Sequence, residues 1–282
     1  MSFHVIRPMA AVALVLSVGL VALPACKKTK PTVPDSPTPA PTPNPNPTPN
    51  PGPSVGDALP PAPKGPIFRG ATPLGRGVRE AAEANMKQIV LAIREFEVVY
   101  GALPAGYADK TGKPGLSWRV AILPYLEQDN LLKQFKLDEP WDSAHNKALL
   151  SKFPMPKQFA PPSQDTRGYT FARGFTGPGT WLPDQTQAGT PGQLLLGVKF
   201  AQITDGLSNT VLVTDAAEAV IWTRPDEMRF TPNNVPKLGG VFESGTSMGL
   251  ADGSVKFVSK SSGLKIADVI QIADGNPVQF DN

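Results

Sequence analysis

VREAAEANMKQIVLAIREFEVVYG, residues Val78 to Gly101, is the most regular stretch in this chain of 282 residues. Val78, Ala82, Met86, Ile89, Val90, Ile93, Phe96 and Tyr100 recur at steps of three and four, which lines them along one side of an α-helix. Glu80, Glu83, Lys87, Arg94 and Glu97 fall mainly off that stripe. Gly101 is placed to end the helix, since glycine takes left-handed backbone angles without penalty, and Pro104 prevents continuation. At 1.5 Å per residue the spacing predicts a helix about 35 Å long, the spine of the fold.

Downstream the texture changes. Short helices are predicted over Trp118–Leu123, Leu126–Phe135 and Ala144–Lys152, the last with Ser143 as N-cap, and a final one over Leu264–Ala273. Between them, apolar runs broken by Gly and Pro predict strands at Gly168–Arg173, Leu194–Phe200, Thr210–Asp215, Ala219–Thr223 and Gly239–Glu243. Residues 176–192 (TGPGTWLPDQTQAGTPG) read as a long loop. SMGLADGSVKFVS reads as a hairpin turning on Asp252-Gly253, with Leu250 facing Val255 and Met248 facing Phe257 on one apolar face. A helix first and a sheet later predict an α+β domain: a long N-terminal amphipathic helix packed on a mainly antiparallel sheet, with short additional helices.

Upstream lie two segments of a different kind. Residues 1–25 have the layout of an export signal: Arg7, then an apolar run of 15 residues from Met9 to Leu23. That run is short for a bilayer span, which needs roughly 20 residues. Leu23-Pro24-Ala25-Cys26 is similar to a bacterial lipobox, in which the cysteine is diacylated and becomes the mature N-terminus. Pro24 is unusual in such a box, and the alternatives are a secretory signal cut elsewhere or an uncleaved anchor. Cys26 is the only cysteine, so the rest of the chain is denied disulfides, thiolate metal sites and cysteine nucleophiles.

Residues 26–64 then alternate proline with Thr, Asn and Ser, a composition without core-forming periodicity. Proline favours extended polyproline geometry, so this tether is expected to be semi-rigid. At about 3.1 Å per residue it could hold a body roughly 110 Å from a membrane. The globular domain is expected over 65–282. Setting aside Arg7, Lys27, Lys28, Lys30, Lys64, Asp35 and Asp57 leaves 22 basic and 22 acidic side chains, so that domain is neutral and carries no footprint for nucleic acid.

Several blocks carry a resemblance. NMKQIVLAIREFEVVYGALPAG, LSWRVAILPYLEQDNLLKQFKLDEPWDSAHNKALL, ITDGLSNTVLVTDAAEAVIWTRP and LADGSVKF together resemble the planctomycete DUF1559 family of pilin-like proteins, over Val78 to Ala273. The resemblance implies a pilin or pseudopilin-like head, with the N-terminal helix on an antiparallel sheet, and no established enzymatic activity. Two departures stand out. A lipoprotein signal and tether replace the prepilin leader helix of many members, and Phe242 occupies a position where many carry histidine.

Candidate chemistry is sparse. His145 is the only histidine after the signal, with no G-x-S-x-G nucleophile motif near it, so it reads as a surface or capping residue. Asp205, Asp215, Glu218 and Asp252 could supply oxygen ligands to calcium, as in the C-terminal loops of some pseudopilins, but no EF-hand spacing is present. Asp205-Gly206 and Asp252-Gly253 read equally as turns. Among Trp118, Trp141, Trp181 and Trp222, the first two read as core, and Trp181, in the long loop, as the candidate exposed ligand contact.

These readings lead to one expectation: a non-catalytic, lipid-anchored envelope protein without cofactors. It would sit in the periplasm or at the cell surface, bound to a membrane through Cys26, with other envelope or pilus-like secretion proteins as partners. A solute- or glycan-binding lipoprotein using the 176–192 loop is the first alternative, and a hydrolase using paired acids the second.

Overall fold

In the computed structural model, residues 61–63, 65–68, 73–184 and 189–280 are described, all within the unit Pro53–Asn282. The export signal, Cys26, nearly all of the tether and residues 185–188 of the long loop lie outside the described residues. In chain order the elements are α1 (Pro73–Tyr100), β1 (Pro104–Ala108), β2 (Pro114–Leu116), α2 (Trp118–Ala121), α3 (Asp129–Leu132), α4 (Ala144–Lys152), β3 (Tyr169–Arg173), β4 (Phe175–Thr176), β5 (Leu194–Leu196), β6 (Val211–Ile221), β7 (Met228–Arg229), β8 (Gly245–Leu250), β9 (Val255–Ser259) and α5 (Ile266–Ile270). This is a mixed α+β domain whose two larger sheets, β3-β6-β8-β9 and β2-β1-β5, are antiparallel, while β4 and β7 pair in parallel.

Met86, Ile89, Val90, Ile93 and Phe96 of α1 are buried in the principal core together with Trp118, Leu123, Trp181 and Trp222. Each fully buried side chain of this size contributes about 1.5–3 kcal/mol. Gly101 ends the helix at φ 70°, its N–H donating to Glu97 O at 2.7 Å. Under α1 the sheet is built from small residues. A Cβ on Gly249 would collide with Val90 and press on Met86, so glycine is what lets helix and strand approach this closely.

The hairpin register differs from the predicted one by a residue. Gly249 pairs with Val255, Met248 with Lys256 and Ser247 with Phe257. The turn is a three-residue loop: Gly253 N–H donates to Leu250 O and Leu250 N–H to Ser254 O, both at 2.9 Å, with Gly253 at φ 87°. The left-handed glycine adds one residue to the connection, as in a G1 bulge. The extra residue separates the supposed single face. Met248 and Leu250 join a second core with Val211, Val258, Val269 and Ile270, while Phe257 packs against the third, around Phe171 and Phe242.

Other boundaries are corrected for equally local reasons. Thr210–Asp215 and Ala219–Thr223 are not separate strands but parts of β6, which bulges against β3 where Ala172 pairs with Asp215 and Thr170 with Val220. Within the bulge, Ala217 N–H donates to Lys237 O and Gly240 N–H to Ala216 O, so the backbone stays paired. Residues 239–243 form isolated bridges instead of a strand, with Phe242 beside Phe68. The first short helix stops at Ala121 and continues as a 3₁₀ turn over Leu123–Leu126, where Pro124 has no N–H to give. The next helix is confined to Asp129–Leu132 and the last to Ile266–Ile270. α4 spans Ala144–Lys152, with Ser143 Oγ accepting from Asn146 N–H at 3.2 Å.

Candidate functional site

Ser117 begins the most constrained polar construction in the domain. As N-cap of α2, its Oγ accepts from Arg119 N–H at 3.2 Å and from Arg119 Nη1 at 2.6 Å. Arg119 is fully buried and donates in addition through Nε to Ala172 O at 2.8 Å. Its guanidinium makes a two-pronged pair with Glu227: Nη1 to Oε1 at 2.8 Å and Nη2 to Oε2 at 3.1 Å. Gly174 N–H donates to the same Oε2 at 2.6 Å. Burial pulls the Arg119 guanidinium below its ordinary pKa, and the Glu227 carboxylate opposes that shift. The fork geometry is the one in which a buried arginine keeps its charge satisfied.

Beside this pair stands Trp118. Its ring meets Phe159 and Trp181 edge to face, with centroids 6.4 and 6.0 Å apart, and the Arg119 Cζ lies 4.7 Å above its centroid. Trp118 is 1% exposed, and its Nε1–H is buried with no acceptor among the described residues. Trp118 and Glu227 line a cleft of about 30 Å³ whose walls include Pro114, Thr176, Pro183 and Pro225. Thr176 Oγ1 is already committed to Pro183 O at 2.9 Å. The cleft thus offers a carboxylate fixed from behind and stiff proline walls.

Trp181 is not the exposed contact predicted for it. It is 0% exposed, and its Nε1 donates to Leu212 O at 2.8 Å behind Trp118. The loop that carries it folds inward, and among its described residues Thr176 and Leu182 to Asp184 line the cleft. Trp222 is buried against Phe135 and Phe159, and Trp141 is half-buried. Cys26 lies outside the described residues.

The four carboxylates considered for calcium are occupied separately. Asp205 accepts from Asp274 N–H at 2.7 Å and Gly275 N–H at 2.9 Å. Asp252 accepts from Ser254 N–H and Oγ–H, both at 2.7 Å, inside the hairpin turn. Asp215 is buried on β6, its Oδ2 only 3.4 Å from Ser247 N–H, and burial pushes its pKa up to about 7. Glu218 is exposed on the same strand. Among the described residues, no three His, Cys, Asp or Glu side chains converge as a metal site. His145 is exposed, its Nε2 donating to Gln134 O at 2.8 Å.

A second feature lies at the C-terminal end of α1. Leu91, Val98, Val99 and Tyr100 are 39, 80, 64 and 48% exposed, the large apolar side chains that α1 leaves to solvent. Alongside it runs a groove bordered by Gln88, Glu95, Tyr125 and Gln128. Among the described residues, no helix is long and apolar enough to cross a membrane.

The family model described as protein of unknown function (DUF1559) matches residues 77–243, more than half of the chain. The chain belongs to the DUF1559 family. No curated protein and no solved structure matches this DUF1559 chain. Every residue of the Trp118 cleft and of the exposed α1 surface falls inside the DUF1559 match, whereas β8, β9 and α5 follow it.

Proposed function

We propose that this DUF1559 protein is a non-catalytic, lipid-anchored envelope protein whose pilin-like head is a protein-interaction module. The head is α1 laid along the antiparallel sheet β3-β6-β8-β9. Cys26 after an export signal is the anchor, and the proline-rich tether is the spacer that carries the head into the periplasm or beyond the surface. The observation that carries the interaction role is the exposure of Leu91, Val98, Val99 and Tyr100 on one helix. Large apolar side chains left this exposed cost solvation unless a partner covers them. Other envelope proteins, including pilus-like or secretion components, are the partner class. A photo-crosslinking residue at Val98 in cells should give a protein adduct that Val99→Glu removes. Absence of any adduct from Val98 and Tyr100 alike would refute the reading.

A second reading, a solute-binding lipoprotein, is favoured by the Trp118 cleft, a concave site with the Glu227 carboxylate on its wall. Its site uses Leu182 to Asp184 of the long loop, with Trp118 in the place first given to Trp181.

A further inference from the structure

We propose that a pocket between the β8–β9 ladder and the residues leading into α5 binds a small aliphatic monoanion, a medium-chain carboxylate being the simplest. Its chain would lie on Val258, Leu264 and Ile266, with its charge at Lys260. This site shares no residue with the Trp118 cleft or the exposed surface of α1, and it goes beyond both readings above.

Strand register decides which side chains face the pocket. Thr246 pairs with Val258 and Met248 with Lys256, so these four share one face of the sheet. On that face lies the second core, where Val258 is buried with Met248, Leu250, Val269 and Ile270. Leu238, Leu264 and Ile266 pack against this core yet stay half-buried, and a pocket of about 270 Å³ opens among them. That approaches the ~300–1,000 Å³ of small-ligand sites. Among the described residues, no aromatic ring and no carboxylate lines it, so its walls suit an aliphatic chain.

Lys260 supplies the charge. Its N–H donates to Ser244 O at 3.0 Å, which carries the ladder one pair beyond Gly245 and Ser259. Lys260 therefore follows Val258 on the same face, and it lines the pocket while remaining exposed. A lysine so placed lays its stem along apolar walls and keeps its ammonium in water. Lys237 and Lys265 are exposed beside lining residues, whereas Glu243 and Asp268, each two residues from the lining in sequence, lie outside it. Thr246 Oγ1 is already spent on Asp215 O at 3.2 Å. The surroundings thus repel a cation, and a neutral chain would forgo the one charged contact on offer.

The test uses the full chain in phosphatidylcholine nanodiscs, with ¹³C-labelled Ile, Leu and Val methyl groups. Octanoate is the probe, with butyrate, octanol and octylammonium for comparison. Octanoate should shift the Val258, Leu264 and Ile266 methyl resonances saturably. Butyrate should bind at least about tenfold more weakly, since each methylene removed costs about fourfold. Lys260→Gln, a surface change, should weaken octanoate binding about fivefold and leave octanol unaffected. Leu264→Trp, which fills the pocket, should abolish both. Methyl resonances unmoved by octanoate overturn the proposal. Octanol or octylammonium binding as tightly as octanoate, or an unchanged affinity in Lys260→Gln, overturns the anionic ligand class.

Discussion

Asp215 shows what one side chain can impose on the domain. It sits on β6 and lines a narrow pit with Ala82, Asn85 and Met86 of α1 and with Gln158 and Val241, none of them charged. Its pKa is raised to about 7, by burial above all, with Ser247 N–H opposing weakly. The folded chain therefore holds a proton that the unfolded chain has released above about pH 4. This group's contribution to stability is full below that pH and is lost as pH rises toward about 7. Asp215→Asn should flatten the decline and stabilise the protein at pH 8 by an amount on the order of 1–4 kcal/mol. Urea unfolding of both proteins at pH 4.5, 6 and 8 measures it. Parallel pH profiles would show that Asp215 ionises freely in the fold.

At the scale of elements, the contact between α1 and the β8–β9 hairpin is the one to perturb. Arg94 Nη1 donates to Ala251 O at 2.7 Å and Lys87 Nζ to Gly253 O at 2.5 Å, so the helix holds the carbonyls of the turn. Replacing Arg94 by Met should cost about 1–3 kcal/mol, because it removes a charge-assisted bond while keeping most of the aliphatic packing. Gly249→Val should cost more, about 3 kcal/mol, by forcing the strand away from Val90 and Met86. Chemical denaturation reports both, and a neutral Gly249→Val would contradict the close approach.

The same pair of elements shows what could be read in advance. The three-and-four periodicity of residues 78–100 and the Ser143 cap are local signals, expressed within one or two turns of chain. The hairpin register is not. Asp252-Gly253 suits a two-residue or a three-residue loop, and the choice rests on Gly253 at φ 87° under Arg94 and Leu91, which come from another element. β1 and β2 were equally hidden: PAGYA and PGL have little strand character and exist as strands because they pair with each other and with Leu194–Leu196.

Across the whole molecule the Arg119–Glu227 pair joins α2, the β3–β4 connection and the segment before β7, over 108 residues of sequence. Glu227→Gln alone should destabilise by about 3–5 kcal/mol, since it strands a buried guanidinium, whereas Arg119→Met with Glu227→Leu should cost less. Thermal melts of the wild type and these two variants decide this, and a double variant less stable than Glu227→Gln would contradict the coupling. This long-range closure is also why the cleft was illegible. Trp118 read as core, which it is, but the cleft beside it depends on where Glu227 and three prolines arrive. Trp181 read as exposed because it lies in the long 176–192 loop, yet that loop turns inward and Trp181 spends its indole N–H on Leu212 O.

The proposed acylated N-terminus is what would unite head, tether and anchor. The most direct test is intact-mass and N-terminal peptide mass spectrometry of the protein extracted from its native membrane. The account predicts a chain beginning at Cys26 and carrying a diacylglyceryl group. A chain that keeps residues 1–25, or one that begins elsewhere without lipid, would contradict it.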